Sequence, residues 1–139
     1  MTTYVFDASA LLAYVDLREG AEKVRHLLKG AIRGENEILM SAVNYGEVYA
    51  VVLRERGHDR AVAALSLMRP LPIRLLDATP ERALRAAEVK TKYKLYYADS
   101  FAAALAMEHH ARLVTSDSDF RRLGHDVPIT WLKPGGSRI

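Results

Sequence analysis

Apolar and polar positions change period repeatedly along the chain, short apolar runs giving way to spacings of three and four. Tyr4-Val-Phe6 is a β-favouring run that stops at Asp7, and from Ser9 the residues Leu11, Leu12 and Val15 fall at helical spacing up to Gly20. The pattern predicts a strand followed by a helix. Val24, Leu27 and Leu28 repeat that spacing from Ala21 to Gly30, with Gly30 and Gly34 as the stop. Ile38-Leu-Met40 reads as a buried strand, and Asn44 as the cap of a helix carrying Tyr45, Val48, Val51 and Val52 before Gly57. A further helix is predicted from Asp59 to Met68 and a strand from Ile73 to Leu76. Thr79-Pro80-Glu81 combines a hydroxyl cap, a proline at the first helical position and an acid in the first turn, opening a helix to about Tyr93. Tyr97 to His110 is helical through its alanines, Arg112 to Thr115 a strand, Asp119 to Leu123 a short helix, and Ile129 to Leu132 a last strand whose Trp131 reads as core.

Strands alternate with helices, and parallel strands need crossovers that helices usually supply. The expected fold is α/β, a central, mostly parallel sheet of about five strands with helices on both faces. At 139 residues, with half of them hydrophobic and 27% charged, the chain reads as one folded domain over 1–139, with a short flexible tail from about Pro134. The absence of cysteine excludes disulfides, thiolate metal sites and cysteine nucleophiles, so any chemistry must use oxygen or nitrogen groups. The first residues have neither a basic head nor a long apolar run, and no later run approaches a membrane span, so no membrane association and a cytoplasmic location are expected.

In such folds ligands bind beyond the carboxyl ends of the strands. Four acids draw attention there: Asp7 after the first strand, Glu47 in the first turn after Asn44, Asp99 near a helix start and Asp117 after the fourth strand. Each also has a structural explanation. Asn44 and Glu47 form a capping-box-like pair, Asp99 complements a helix dipole, and Asp117 with Asp119 forms an Asx turn. Asp99 shares a helix face with Ala102, Ala103 and Ala106, so an inward orientation would set a carboxylate against an apolar core. Taken together, the four would converge if the first and fourth strands are neighbours. Unit charges 4 Å apart repel by roughly 4 kcal/mol at an effective dielectric near 20, so such a cluster calls for a cation. All-oxygen donors favour Mg²⁺ or Mn²⁺, and phosphodiester hydrolysis is the matching chemistry.

Four segments carry a family resemblance: Val5-Phe-Asp7-Ala-Ser9-Ala-Leu-Leu12, Asn44-Tyr-Gly-Glu47, Tyr97-Ala-Asp99-Ser-Phe-Ala-Ala103 and Leu113-Val-Thr-Ser-Asp117-Ser-Asp-Phe120. In this order they resemble the PIN-domain ribonucleases, and most closely the VapC-type toxins of toxin–antitoxin pairs. The resemblance spans Tyr4 to about Leu132. It implies a PIN-like three-layer sandwich and a Mg²⁺- or Mn²⁺-dependent endoribonuclease. Asp7, Glu47, Asp99 and Asp117 would be catalytic residues and metal ligands, and Ser9, Thr115 and Asp119 auxiliary polar positions. Asp7, Asp99 and Asp117 would hold one or two ions, and Glu47 would complete the shell or orient a metal-bound water. Ser100 departs from the alanine more usual after the third acid. The resemblance also implies an RNA substrate, homodimerisation with paired sites in a groove, and inhibition by a small VapB-like antitoxin inserting a segment there.

The overall net charge is only +3, but 20 basic residues face 13 acids outside the quartet, a surplus of seven. Arg82, Arg85, Lys90, Lys92 and Lys94 concentrate before Asp99 as candidate RNA contacts, with a solvated helix face as the plainer explanation. Tyr93, Tyr96 and Tyr97 are candidates for base stacking, with burial at a helix edge as the plainer explanation. The five histidines are scattered and form no ligand set. Two other functions compete. A phosphoreceiver domain would use Asp77, Thr115 and Lys133 at three strand ends, although Asp7 lacks the adjacent second acid that receivers carry and the helices between Asn44 and Met68 are surplus to it. A non-catalytic PIN module would bind RNA without cutting it, against which stands the complete acidic quartet.

Overall fold

A computed structural model describes residues 1–133; the tail expected from Pro134 lies outside the described residues. Strand β1 (Thr2–Phe6) leads into α1 (Ala8–Val15) and α2 (Ala21–Ile32), β2 (Asn36–Ser41) into α3 (Ala42–Arg56) and α4 (His58–Met68), and β3 (Arg74–Leu76) into α5 (Pro80–Tyr93) and α6 (Tyr97–His109). β4 (Arg112–Thr115), a 3₁₀ turn (Ser118–Leu123) and β5 (Ile129–Trp131) complete the order. The five strands form one sheet, ordered β3-β2-β1-β4-β5, and every pairing is parallel. This is the three-layer α/β sandwich that the alternation predicts.

Strand periodicity builds both cores. Phe6, Ile38, Met40 and Val114 face the layer containing α1 to α4, while their chain neighbours Val5, Leu39 and Leu113 face α5, α6 and the 3₁₀ turn. Consecutive residues of one strand thus serve opposite layers, which is why these segments read as continuous apolar runs. No helix among the described residues is long and apolar enough to cross a membrane.

Several boundaries differ from the pattern. α1 ends at Val15, not near Gly20, and Leu17 adopts a positive φ with 86% of its surface exposed. α2 runs through Gly30, which is buried; a Cβ there would come within 2.5 Å of the Asn36 side-chain amide, so packing accounts for this glycine and Gly34 takes the turn. The cap of α3 is Ser41, whose hydroxyl accepts from the Val43 amide at 3.1 Å. Asn44 therefore lies inside the helix and Glu47 in its second turn, so the expected capping box does not form. Thr79 and Pro80 open α5 as predicted, the threonine hydroxyl accepting from the Arg82 amide at 3.2 Å. Trp131 is only partly buried, packing against the core from the edge strand.

The topology decides one of the competing functions. β3 and β4 are separated by β2 and β1, so Asp77 stands about 14 Å from the end of β4 at ordinary strand spacing. The receiver trio of Asp77, Thr115 and Lys133 is not assembled, and Thr115 is instead engaged with Asp7, so the chain does not have a receiver's site.

Candidate active site

The chain leaves β1 toward β2 on one side and returns from β3 to β4 on the other, so the carboxyl ends of β1 and β4 flank the crevice where connections diverge. The register Phe6↔Val114 places Asp7 and Thr115 beside each other there. Asp7 caps α1: Oδ1 accepts from the Ala10 amide at 3.0 Å and from the Ser9 hydroxyl at 2.7 Å, and Oδ2 accepts from the Thr115 hydroxyl at 2.5 Å. The two hydroxyls, 3.2 Å apart, pass the order onward. Ser9 Oγ accepts from the Ser116 amide and Thr115 Oγ1 from the Asp117 amide, each at 2.9 Å. Asp117 then caps the 3₁₀ turn by accepting from the Asp119 amide at 2.9 Å. One buried carboxylate thereby fixes the loop that carries two others.

The helices supply the remaining acids. Asp99 lies in the first turn of α6, on the face whose Ala102, Ala103 and Ala106 are buried. Glu47 is held from α3. Asn44, fully buried, donates through Nδ2 to the Ala98 carbonyl at 2.9 Å and to Glu47 Oε1 at 3.4 Å, tying the two helices together beside the site. Its Oδ1 is buried without a partner. The sequence pattern assigned Asn44 a capping role; only the approach of α3 to α6 gives it this one.

The electrostatics show the crowding. Burial pushes the Asp7 carboxyl up to about 6 despite its hydrogen bonds, with the charge of Asp117 adding to the rise. Asp99 is pushed up to about 7, first by burial and then by the charges of Asp117, Asp7, Glu47 and Asp119. Asp99, Asp117 and Asp119 each place a carboxylate oxygen within 4.8 Å of the others. Asp119, expected as an auxiliary position, thus belongs to the tightest group, whereas Asp7 accepts three hydrogen bonds, two at Oδ1 and one at Oδ2. Among the described residues the only basic group within 4 Å of any of these acids is Arg122, at 3.7 Å from Asp119. Hard oxygen donors and mutual repulsion that a single arginine does not balance are what a divalent-ion site offers, so the residues present fit such an ion.

The basic candidates divide. Lys90 and Lys94, with Leu95, Tyr96, Arg122 and Asp119, line an open groove beside the acids. Arg82 is spent structurally: it grips Glu108 through two hydrogen bonds of 3.2 and 3.1 Å and donates to the Asp77 carbonyl at 2.9 Å. Arg85 lies beside that pair, and Lys92 lies on the outer surface of α5 with its ammonium over the Tyr93 ring. The five do not form one patch. Burial at a helix edge fails for Tyr96, 76% exposed, and for Tyr97, 43% exposed, while Tyr93 is half-buried and donates to Asp126. Nothing local in the sequence marks Arg122; its hydrogen bond to the Lys94 carbonyl, between α5 and α6, brings it here.

Comparison with known proteins agrees with this geometry. The profile of the PIN domain matches residues 4–126. No curated protein sequence matches the chain. Among solved structures, VapBC2 of Rickettsia felis bound to a DNA fragment from its promoter superposes with a TM-score of 0.73 at 16% identity, covering 93% of this chain and 98% of that one. DNA-bound VapBC of Salmonella typhimurium gives 0.73 at 14% identity, covering 96% and 100%. VapC20 of Mycobacterium tuberculosis, a toxin that cleaves the sarcin-ricin loop, gives 0.72 at 19% identity, covering 87% and 95%. At these identities the likeness is one of fold.

Proposed function

The chain belongs to the PIN-domain family, and from that premise we propose that it is a Mg²⁺- or Mn²⁺-dependent endoribonuclease acting as the toxin of a VapBC-type pair. The observation that carries the reading is the convergence of Asp7, Glu47, Asp99, Asp117 and Asp119 on one crevice without a matching set of cations. Asp99, Asp117 and Asp119 offer the donor oxygens for the ion. Asp7 anchors the set through Ser9 and Thr115, and Glu47, steadied by Asn44, faces the site to complete the shell or orient the attacking water. A bound divalent cation supplies charge neutralisation at the phosphate and a water of lowered pKa. The protein's own share is to hold the carboxylates preorganised, so that little rearrangement accompanies the reaction.

On this reading residues 1–139 form a single PIN-like domain, RNA is the substrate, a small VapB-like antitoxin blocks the groove, and the chain pairs with a second copy. The support for the partner is the match to toxins solved in VapBC complexes. The test is cleavage of a mixed RNA by the purified protein: Mn²⁺ or Mg²⁺ supports it, EDTA abolishes it and added metal restores it. Cleavage that persists in EDTA overturns the metal assignment. RNA bound but never cut would favour the non-catalytic module.

A further inference from the structure

Several arginines of this molecule grip an acid directly. Arg18 and Arg56 hydrogen-bond Asp16 at 2.9 and 3.2 Å, Arg33 holds Glu35 at 3.0 and 3.2 Å, and Arg82 holds Glu108 at 3.2 and 3.1 Å. Arg122 behaves differently. Its Nη2 stands 3.7 Å from Asp119 Oδ1, beyond hydrogen-bond length, while its Nη1 donates to the Lys94 carbonyl at 2.9 Å. A backbone carbonyl anchors the guanidinium, and the carboxylate only faces it.

The 3₁₀ turn explains the placement. With three residues per turn, side chains three apart emerge one above the other, so Asp119 and Arg122 lie on the same side of it. The turn cannot rotate to separate them from the site, because Phe120 and Leu123 are buried and the Asp117 side chain caps its start. A positive charge is therefore held beside the acid group without using a lone pair of Asp119, whose carboxylate keeps an oxygen within 4.8 Å of those of Asp99 and Asp117. The charge eases the repulsion among the acids while the site is empty. It also opposes a cation that enters, since a unit charge and a divalent ion a few ångströms apart repel by more than the thermal energy even in water.

Resting on the ion-site reading above, we propose that Arg122 is a built-in counter-cation that competes with the divalent ion at Asp119 and so sets the concentration at which the site loads. It is a positioning residue, acting through Asp119 and not as a ligand. The plainer role would be bracing: the bond to Lys94 would steady the turn and its acids, and losing it would weaken the ion, as for groups that orient ligands. The two roles predict opposite signs. Competition makes the site bind its ion more tightly when the arginine is removed.

The test takes the full chain, freed of metal, and titrates it with Mn²⁺ alone, following the heat of binding and the rise in melting temperature. Arg122→Gln binds Mn²⁺ about fivefold more tightly, and the gain shrinks as KCl is added. At one fixed, saturating Mn²⁺ concentration its melting temperature rises about 3 °C more than that of the parent. Arg122→Lys, which keeps the charge, keeps the parent's affinity. Lys90→Gln, which removes a groove cation paired with no acid among the described residues, changes the affinity by less than about twofold. Unchanged or weaker binding in Arg122→Gln, an equal gain in Lys90→Gln, or a gain in Arg122→Lys overturns the competition and leaves the ion site standing. A parent chain that takes up no Mn²⁺ removes the ion-site reading itself, and this role with it.

Discussion

Two acidic neighbourhoods in this molecule use the same residue type to opposite ends. Asp16 follows α1 with its side chain only 6% exposed. Burial pushes its carboxyl up, but hydrogen bonds and charges from Arg56 at 3.2 Å and Arg18 at 2.9 Å outweigh that and hold it below the usual range. Asp99 is likewise removed from water, yet its charged neighbours are acids, and its carboxyl is pushed up to about 7. The first arrangement is complete in itself: charge meets charge across the ends of α1 and α3. The second gives Asp99 no such partner among the described residues. A buried acid therefore says little about function until its counter-charge has been sought: with one it is a structural tie, and without one it is a candidate site.

The contrast can be broken first at Asp99. Asp99→Asn lowers the RNA cleavage rate by at least about a hundredfold, because it removes a donor and not merely a supporting group. The same change raises the melting temperature of the metal-free protein, since it relieves repulsion; Asp16→Asn lowers it. If both substitutions destabilise alike, the distinction between the two neighbourhoods fails. Next, Thr115→Val removes the hydroxyl that binds Asp7 Oδ2 and receives the Asp117 amide. Mn²⁺ affinity, read by titration, falls by about 10- to 100-fold, as for other groups that orient ligands.

pH sharpens the same point. Asp7 and Asp99 have folded-state values near 6 and 7, above their ordinary 3.8. Between those limits the folded protein keeps protons that the unfolded chain has released, so stability declines as pH rises through the folded values. Without metal, the melting temperature falls by on the order of 10 °C from pH 5 to pH 8. Mn²⁺ reverses this at the upper pH, where its ligands are charged, and has little effect at the lower. A metal-free melting temperature that climbs over the range would contradict the raised values. The smallest effect is at the structural tie: Asp16→Asn costs about 1 kcal/mol in chemical denaturation, because the arginines it releases turn to water.

Much of this was readable before any coordinates. Val5-Phe6, Ile38 to Met40 and Leu113-Val114 are apolar on both faces, which identifies buried parallel strands, and Thr79-Pro80-Glu81 fixes the start of α5 through bonds made within one turn. The four acids stood out because carboxylates after strands and at helix starts are chemically conspicuous. Less was legible where a residue serves a distant element. Asn44 looked like a cap because Ser41, the actual one, is an equally good candidate and local pattern cannot choose between them. The basic stretch from Arg82 to Lys94 looked like one patch because closeness in sequence says nothing about the helix face on which each side chain emerges, and Glu108, which claims Arg82, comes from another helix.

The order of residues was enough to set the alternation of strands and helices, the layered fold and the identity of the acids, since periodicity, capping and side-chain chemistry act within a few residues. It took the folded arrangement to join Asp119 to Asp99 and Asp117, to hold Asp7 by Thr115, and to stand Tyr96 and Arg122 at the mouth of the site. Those relations span the switch in strand order between β1 and β4, and they exist only once the chain has closed on itself and moved the carboxylates out of water.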